Sequence, residues 1–107
     1  MPVVAAYAAM NQTVQASSPL IISGDGPQIV NYGELTLESG SSVRFSSNVN
    51  AKMTVQSLIS EAGGGAIQVG KNARIVLTAQ TITGSIRLDV RGSLTLYYNA
   101  DGTECYS

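Results

Sequence analysis

Residues 34–45, ELTLESGSSVRF, contain the pattern that decides the fold. Leu35 and Leu37 alternate with polar residues, a Ser-Gly-Ser-Ser corner follows, and Val43 and Phe45 then alternate with polar residues again. Alternation with a period of two is typical of short β-strands that bury one face. Glycine and serine suit the tight turn between them. The stretch therefore predicts two strands joined by a small polar corner.

The same arrangement returns in residues 66–77, AIQVGKNARIVL, and with a tighter corner in residues 86–96, IRLDVRGSLTL. Aligning 34–45 with 66–77 places Leu35 over Ile67. Strand pairs separated by small corners are typical of a β-solenoid, in which each corner turns the chain onto the next sheet. The spacing is uneven, with 32 residues from Leu35 to Ile67 and 19 from Ile67 to Ile86. We expect an all-β chain forming a short β-solenoid, and a jelly roll or other β-sandwich is the alternative.

The apolar residues of these alternating segments are the predicted core, because they fall on one face of each strand. They are Leu35, Leu37, Val43, Phe45, Ile67, Val69, Ile75, Leu77, Ile86, Leu88, Leu94 and Leu96.

Charge and composition divide the chain into three segments. The first charged side chain is Asp25, so residues 1–18 form an uncharged N-terminal arm, which precedes a β domain at 19–98 and a turn-rich tail at 99–107. Three interpretations of the start remain open: a first strand in the chain's own core, an arm that packs on a neighbouring subunit, or an atypical export signal. Val3, Val4, Tyr7 and Met10 also have the spacing of a short helix.

The composition excludes several classes of function. Charged residues are 12% of the chain, about half the usual fraction, and the net charge of −1 argues against binding nucleic acid. There is no histidine, the commonest general base and metal ligand. We therefore expect no enzyme, no catalytic residue, no metal and no cofactor. No apolar run is long enough for a membrane span.

Two local patterns have features of binding sites. Residues 65–72, GAIQVGKN, nearly match a phosphate-binding loop, but Asn72 replaces the hydroxyl residue and a strand pattern follows, so we expect a corner. Arg74, Arg87 and Arg91 are predicted to face outward on neighbouring strands, where they would form a small basic ladder for an anion or glycan, balanced by Asp89.

Residues 29–43, IVNYGELTLESGSSV, resemble the rungs of right-handed β-helices in bacterial secreted adhesins and autotransporter passengers. The size of the chain and its rung pattern also resemble bactofilins, which are small polymer-forming β-helices. The resemblance implies a β-helical architecture and carries no functional residue across. We favour the extracellular space or a cell or virion surface over the cytoplasm.

The predicted function is that of a structural, self-assembling β-protein, a subunit of a filament, a surface fibre or a closed oligomer. The strand at 93–98 contains neither Lys nor Pro, the residues that protect sheet edges, so we expect it to pair with a second copy. Cys105 is a candidate for an intersubunit disulfide. The alternative is a carbohydrate-binding module of the adhesin or phage-fibre type, with a glycan as partner. The predicted subunit interface comprises Val3, Val4, Tyr7, Met10, Leu94, Thr95, Leu96, Tyr97 and Tyr98.

Overall fold

The computed structural model describes residues 10–98 and the backbone of residues 104–106. The described chain is all-β, as the alternation predicted, and its strands stack in parallel as a β-solenoid of about four turns. The strands are β1 (Met10–Val14), β2 (Leu20–Ile22), β3 (Pro27–Leu37), β4 (Ser42–Phe45), β5 (Asn50–Ser60), β6 (Gly65–Val69), β7 (Arg74–Thr83), β8 (Ile86–Val90), β9 (Ser93–Tyr98) and β10 (Glu104–Tyr106).

Two hydrogen-bonded sheets run along the solenoid. One has the order β1-β3-β5-β7-β9-β10 and the other the order β2-β4-β6-β8. All neighbours are parallel except β10, which runs antiparallel to β9. Residues 10–14, which the sequence placed in an N-terminal arm, pair with β3 of the same chain as strand β1. The boundary of the arm at residue 18 stays a prediction.

Each long strand bends near its middle, which gives the turn three faces rather than two. In β3 the buried side chains are Tyr32, then Leu35 and Leu37, so the alternation slips by one residue at Gly33 and Glu34. The same slip separates Val55 from Leu58 in β5. A slip of one residue is what a corner requires if both flanking segments are to point into one core.

Side chains at equivalent positions form columns through the core. Ala51 pairs with Gln28, 23 positions earlier, and Ile75 pairs with Ala51, 24 positions earlier. Leu94 pairs with Ile75, only 19 positions earlier, because the corners of the last turn are shorter. Leu35 lies beside Leu58 rather than Ile67, so the alignment of 34–45 with 66–77 was wrong by one face. It failed because every face offers two inward apolar residues followed by a small corner.

Close packing between turns requires a glycine at the corner between β7 and β8. Gly84 follows β7 directly against the backbone oxygen of Ser60, a position that a side chain could not share. The Ser60 hydroxyl is buried there and donates to the carbonyl oxygen of Ser85 at 2.6 Å, while the amide of Gly65 donates to it at 2.8 Å. This buried hydroxyl therefore ties two successive corners together, and its polar atom is satisfied.

Ten of the twelve predicted core residues are buried. The exceptions are Ile86, which is half-buried, and Leu88, which is 44% exposed. Both belong to β8. Their side chains occupy inward positions, but β8 is the last strand of its sheet, and no described strand covers them from the outer side.

Candidate functional site: the open end of the solenoid

The C-terminal end of the solenoid leaves part of the core uncovered. We call this region the open end and define it as β8 together with the cavity beneath it. The column Leu20, Val43, Ile67, Leu88 runs through the second sheet, and so does the column Ile22, Phe45, Val69, Val90. Val43 and Phe45 are fully buried between turns, whereas Leu88 and Val90 are 44% and 40% exposed. The exposed pair is thus the uncovered last layer of a hydrophobic core.

A small apolar cavity opens at this layer. Its volume is about 170 Å³, and it lies between the last two layers of the inward columns. Because all the lining side chains are aliphatic, the cavity suits apolar groups rather than a polar ligand. The lining residues are Leu58, Ile67, Leu77, Ile82, Ile86, Leu88 and Leu96.

The backbone of β8 adds hydrogen-bonding capacity to this apolar layer. Among the described residues no strand pairs with its outer side, so amide and carbonyl groups from Ile86 to Val90 face an empty position. The outer sides of residues 80–83 also lack a partner in the described chain, because β9 pairs with β7 only from Arg74 to Ala79. Unpaired edges of this kind are templates for another strand.

Strand β9, which the sequence assigned to the subunit interface, differs from β8 in its burial and in the pairing of its outer edge. Leu94 and Leu96 are buried in the core, Thr95 and Tyr98 are half-buried, and Tyr97 is 41% exposed on the outer face. The outer edge of Leu96–Tyr98 is paired with β10, and Cys105 lies opposite Tyr97 in the register. The edge proposed for a second subunit is therefore occupied, over these residues, by the tail of the same chain. Sequence reasoning predicted the strand at β8 but missed that its edge is exposed, because its alternation looks like that of any buried strand.

The N-terminal part of the predicted interface is only partly described. Met10 is 61% exposed at the start of β1, the first strand of its sheet. Val3, Val4 and Tyr7 lie outside the described residues. Ile21, on β2, is also exposed, and no described strand lies on the outer side of β2. The described N-terminal end thus carries exposed apolar side chains and an unpaired edge as well.

The arginines do not form the ladder that the sequence suggested. Arg87 lies beside Ala66 in the register, whereas Arg74 lies between Asn50 and Ser93. Arg74 and Arg91 do line a shallow depression of about 310 Å³ at the corner before β9. The basic ladder prediction was wrong because it assumed one face for residues that lie on two faces and a corner.

The near match to a phosphate-binding loop is a corner, as expected. Gly65–Val69 is strand β6, Asn72 adopts a left-handed backbone with φ of 64°, and strand β7 begins at Arg74. No helix begins at Lys71, so the amide groups that such a loop points at a phosphate are not arranged here.

Within residues 10–98 we found no group of three or more His, Cys, Asp or Glu side chains that could hold a metal ion. In the same part of the chain there is no helix of the length and apolar character needed to cross a membrane. No protein-family model, curated protein or solved structure matches this chain.

Proposed function

We propose that the protein is a structural subunit that assembles end to end, with the open end of one copy receiving the N-terminal end of the next. The observation that carries this proposal is that Leu88 and Val90 occupy core positions yet remain exposed at an unpaired strand edge. Monomeric proteins normally cover such an edge or block it with a lysine or a proline, and β8 contains neither residue. A partner that continues the sheet would satisfy both the backbone and the apolar columns.

A second copy of the chain fits this end better than an unrelated partner because the columns continue across the joint. If β2 of the next copy pairs in parallel with β8, its Leu20 follows Leu88 and its Ile22 follows Val90. Inside one chain, Leu20 and Ile22 pair in the same register with Val43 and Phe45, which are the equivalents of Leu88 and Val90 in β4. Completing the burial of Leu88 alone would stabilise the joint by about 1 kcal/mol.

The low charge supports association as well. Arg87 and Asp89 are the charged residues of β8, and β2 has none. Little repulsion opposes the approach of two ends, and salt should change their association only weakly. The resemblance of the rungs to those of bactofilins and secreted adhesins agrees with a polymer or fibre subunit.

The test is the mass of the purified protein in solution. We expect light scattering to show a mass that rises with protein concentration and changes little between low and high salt, and electron microscopy to show elongated particles. A wild-type protein that stays monomeric at high concentration would defeat the proposal.

A matched pair of variants locates the joint. Leu88→Lys places a charge in the uncovered layer, whereas Thr54→Lys places one on the exposed outer face of β5, in a middle turn. We expect Leu88→Lys to dissociate the assembly and Thr54→Lys to leave it intact, with both variants folded by circular dichroism. Equal effects of the two substitutions would contradict a joint at β8.

A second candidate function, glycan binding, is favoured by one observation. Tyr97 is exposed on a flat outer face, beside Thr78 in the register, with Thr54 and Asn31 continuing the row. An aromatic ring beside hydroxyl and amide groups suits a carbohydrate. Discrete particles together with binding to a soluble polysaccharide that Tyr97→Ala abolishes would support this function instead.

A further inference from the structure

The tail strand β10 occupies a position that the proposed assembly needs. β10 lies outside β9 in the first sheet and pairs with Leu96–Tyr98 in antiparallel orientation. It is three residues long, so it leaves the outer side of Ser93–Thr95 without a partner in the described chain. The end of the solenoid is therefore covered at half of β9 and uncovered at β8.

Pairing of a second copy with β8 determines which segment of that copy lies beside β9. Inside the chain, β2 is followed by the first half of β3, just as β8 is followed by β9. A second copy whose β2 pairs with β8 thus brings its Pro27–Asn31 segment to the outer side of β9. By the register of the sheet, Gln28 and Val30 of the second copy would lie beside Leu94 and Leu96. β10 already lies in that position.

We infer that the outer edge of β9 is the second half of the joint, and that Pro27–Asn31 of another copy replaces β10 on it. This inference rests on the proposed end-to-end assembly. The incoming segment is parallel, as are the other pairs along the solenoid, and it spans five residues of β9 instead of three. Pro27 contributes no amide donor, but it stands at the first position of the strand, where that loss is tolerated.

Among the described residues, the incoming segment is free on the side that the joint uses. β1 pairs with β3 from Tyr32 to Leu37, so the outer side of Pro27–Asn31 has no described partner. Ile29 on this segment is 70% exposed, and Val30 is only partly buried. Exchange of β10 for this strand would therefore pair two edges that the described chain leaves incomplete.

The first test removes β10 from β9 in the full-length chain. The triple variant Glu104→Pro/Cys105→Pro/Tyr106→Pro cannot form the strand, because proline lacks the amide donor and clashes in a paired strand. The control variant Glu104→Ala/Cys105→Ala/Tyr106→Ala retains the backbone pairing. We expect the proline variant to assemble at a roughly tenfold lower protein concentration than the alanine variant, as removal of about 1.4 kcal/mol of competing pairing would produce.

The second test fixes β10 in place. Tyr97→Cys puts a thiol opposite Cys105, and directly paired strand residues have a Cα separation that a disulfide can bridge. We expect the oxidised monomer, identified by mass, not to assemble, and the same sample to assemble after reduction. Oxidised Tyr97→Cys that assembles as well as the reduced protein would overturn the inference.

The two proposals fail in different ways. Assembly of the wild type with no difference between the proline and alanine variants would overturn the role of β9 and leave assembly through β8 standing. A wild-type protein that stays monomeric at high concentration would overturn both the end-to-end assembly and the role of β9 that rests on it.

Discussion

Two layers of the same columns, one in the middle of the solenoid and one at its C-terminal end, have different surroundings. Phe45 and Val69 are buried because a turn lies on each side of them, whereas Val90, in the same column, has a turn on one side only in the described chain. The residue types are similar, so side-chain chemistry does not explain the difference in exposure. Burial in a solenoid is decided by the neighbouring turns, and a terminal turn keeps an exposed core unless something stacks on it.

The largest expected effect follows directly from this contrast. Phe45→Ala should lower the free energy of unfolding by about 3–5 kcal/mol, because it leaves a cavity between two fixed turns. Val90→Ala should cost less than about 1 kcal/mol in the monomer, since the side chain is already partly hydrated. Urea unfolding at concentrations below assembly measures both. Similar costs would show that the end is as well covered as the middle.

A smaller effect is expected from crowding at a corner. A Cβ atom on Gly70 would lie 2.6 Å from the amide nitrogen of Ser47 and 2.9 Å from the carbonyl oxygen of Phe45, in the turn beneath. Gly70→Ala should therefore cost about 1–3 kcal/mol through overpacking.

The matched substitution is Gly26→Ala, at the corner before the first complete turn. A Cβ atom there meets nothing within 4 Å, although φ is +76°. It should cost about 1 kcal/mol from backbone strain alone. If Gly26→Ala were more destabilising than Gly70→Ala, contact between turns would not be the reason that the corner at Gly70 requires glycine.

The smallest effect concerns pH. Burial raises the pKa of the Tyr32 hydroxyl above its ordinary value near 10, because the phenolate would lose water. The folded chain therefore holds this proton more tightly than the unfolded chain does. The resulting stability is complete below pH 10 and is lost as the pH rises above that value. Tyr32→Phe should remove this part of the alkaline loss in thermal unfolding. An identical alkaline profile in the variant and the wild type would exclude Tyr32 as its source.

The sequence was sufficient for some parts of this architecture and insufficient for others. Alternation at Leu35, Leu37, Val43 and Phe45 predicted the strands, because a period of two is a local property. The register was missed, since Ile67 and Leu58 are equally good apolar neighbours for Leu35 until the number of faces per turn is known. The bends were missed because a slip of one residue is visible only against a known core.

The end of the molecule was the least predictable part. Leu88 alternates with Arg87 and Asp89 in the same way as a buried residue, and its exposure depends on a turn that the described chain does not add. The pairing of β10 with β9 was missed for a related reason: residues 104–106 are few and polar at their start, so they carry no alternation to detect.

The column structure also bears on how such a chain can change length during evolution. Residues 50–73, one complete turn, have a turn on each side, and the inward residues Met53, Val55, Leu58, Ile67 and Val69 already neighbour apolar residues above and below. A tandem duplication of this segment would add a turn of about 4.8 Å along the axis and create no new type of core contact. The outer face sets the limit, because Lys52 would then lie beside its own copy. Addition of whole turns therefore preserves the contacts of the core, whereas like charges on the outer face restrict which turns can be duplicated.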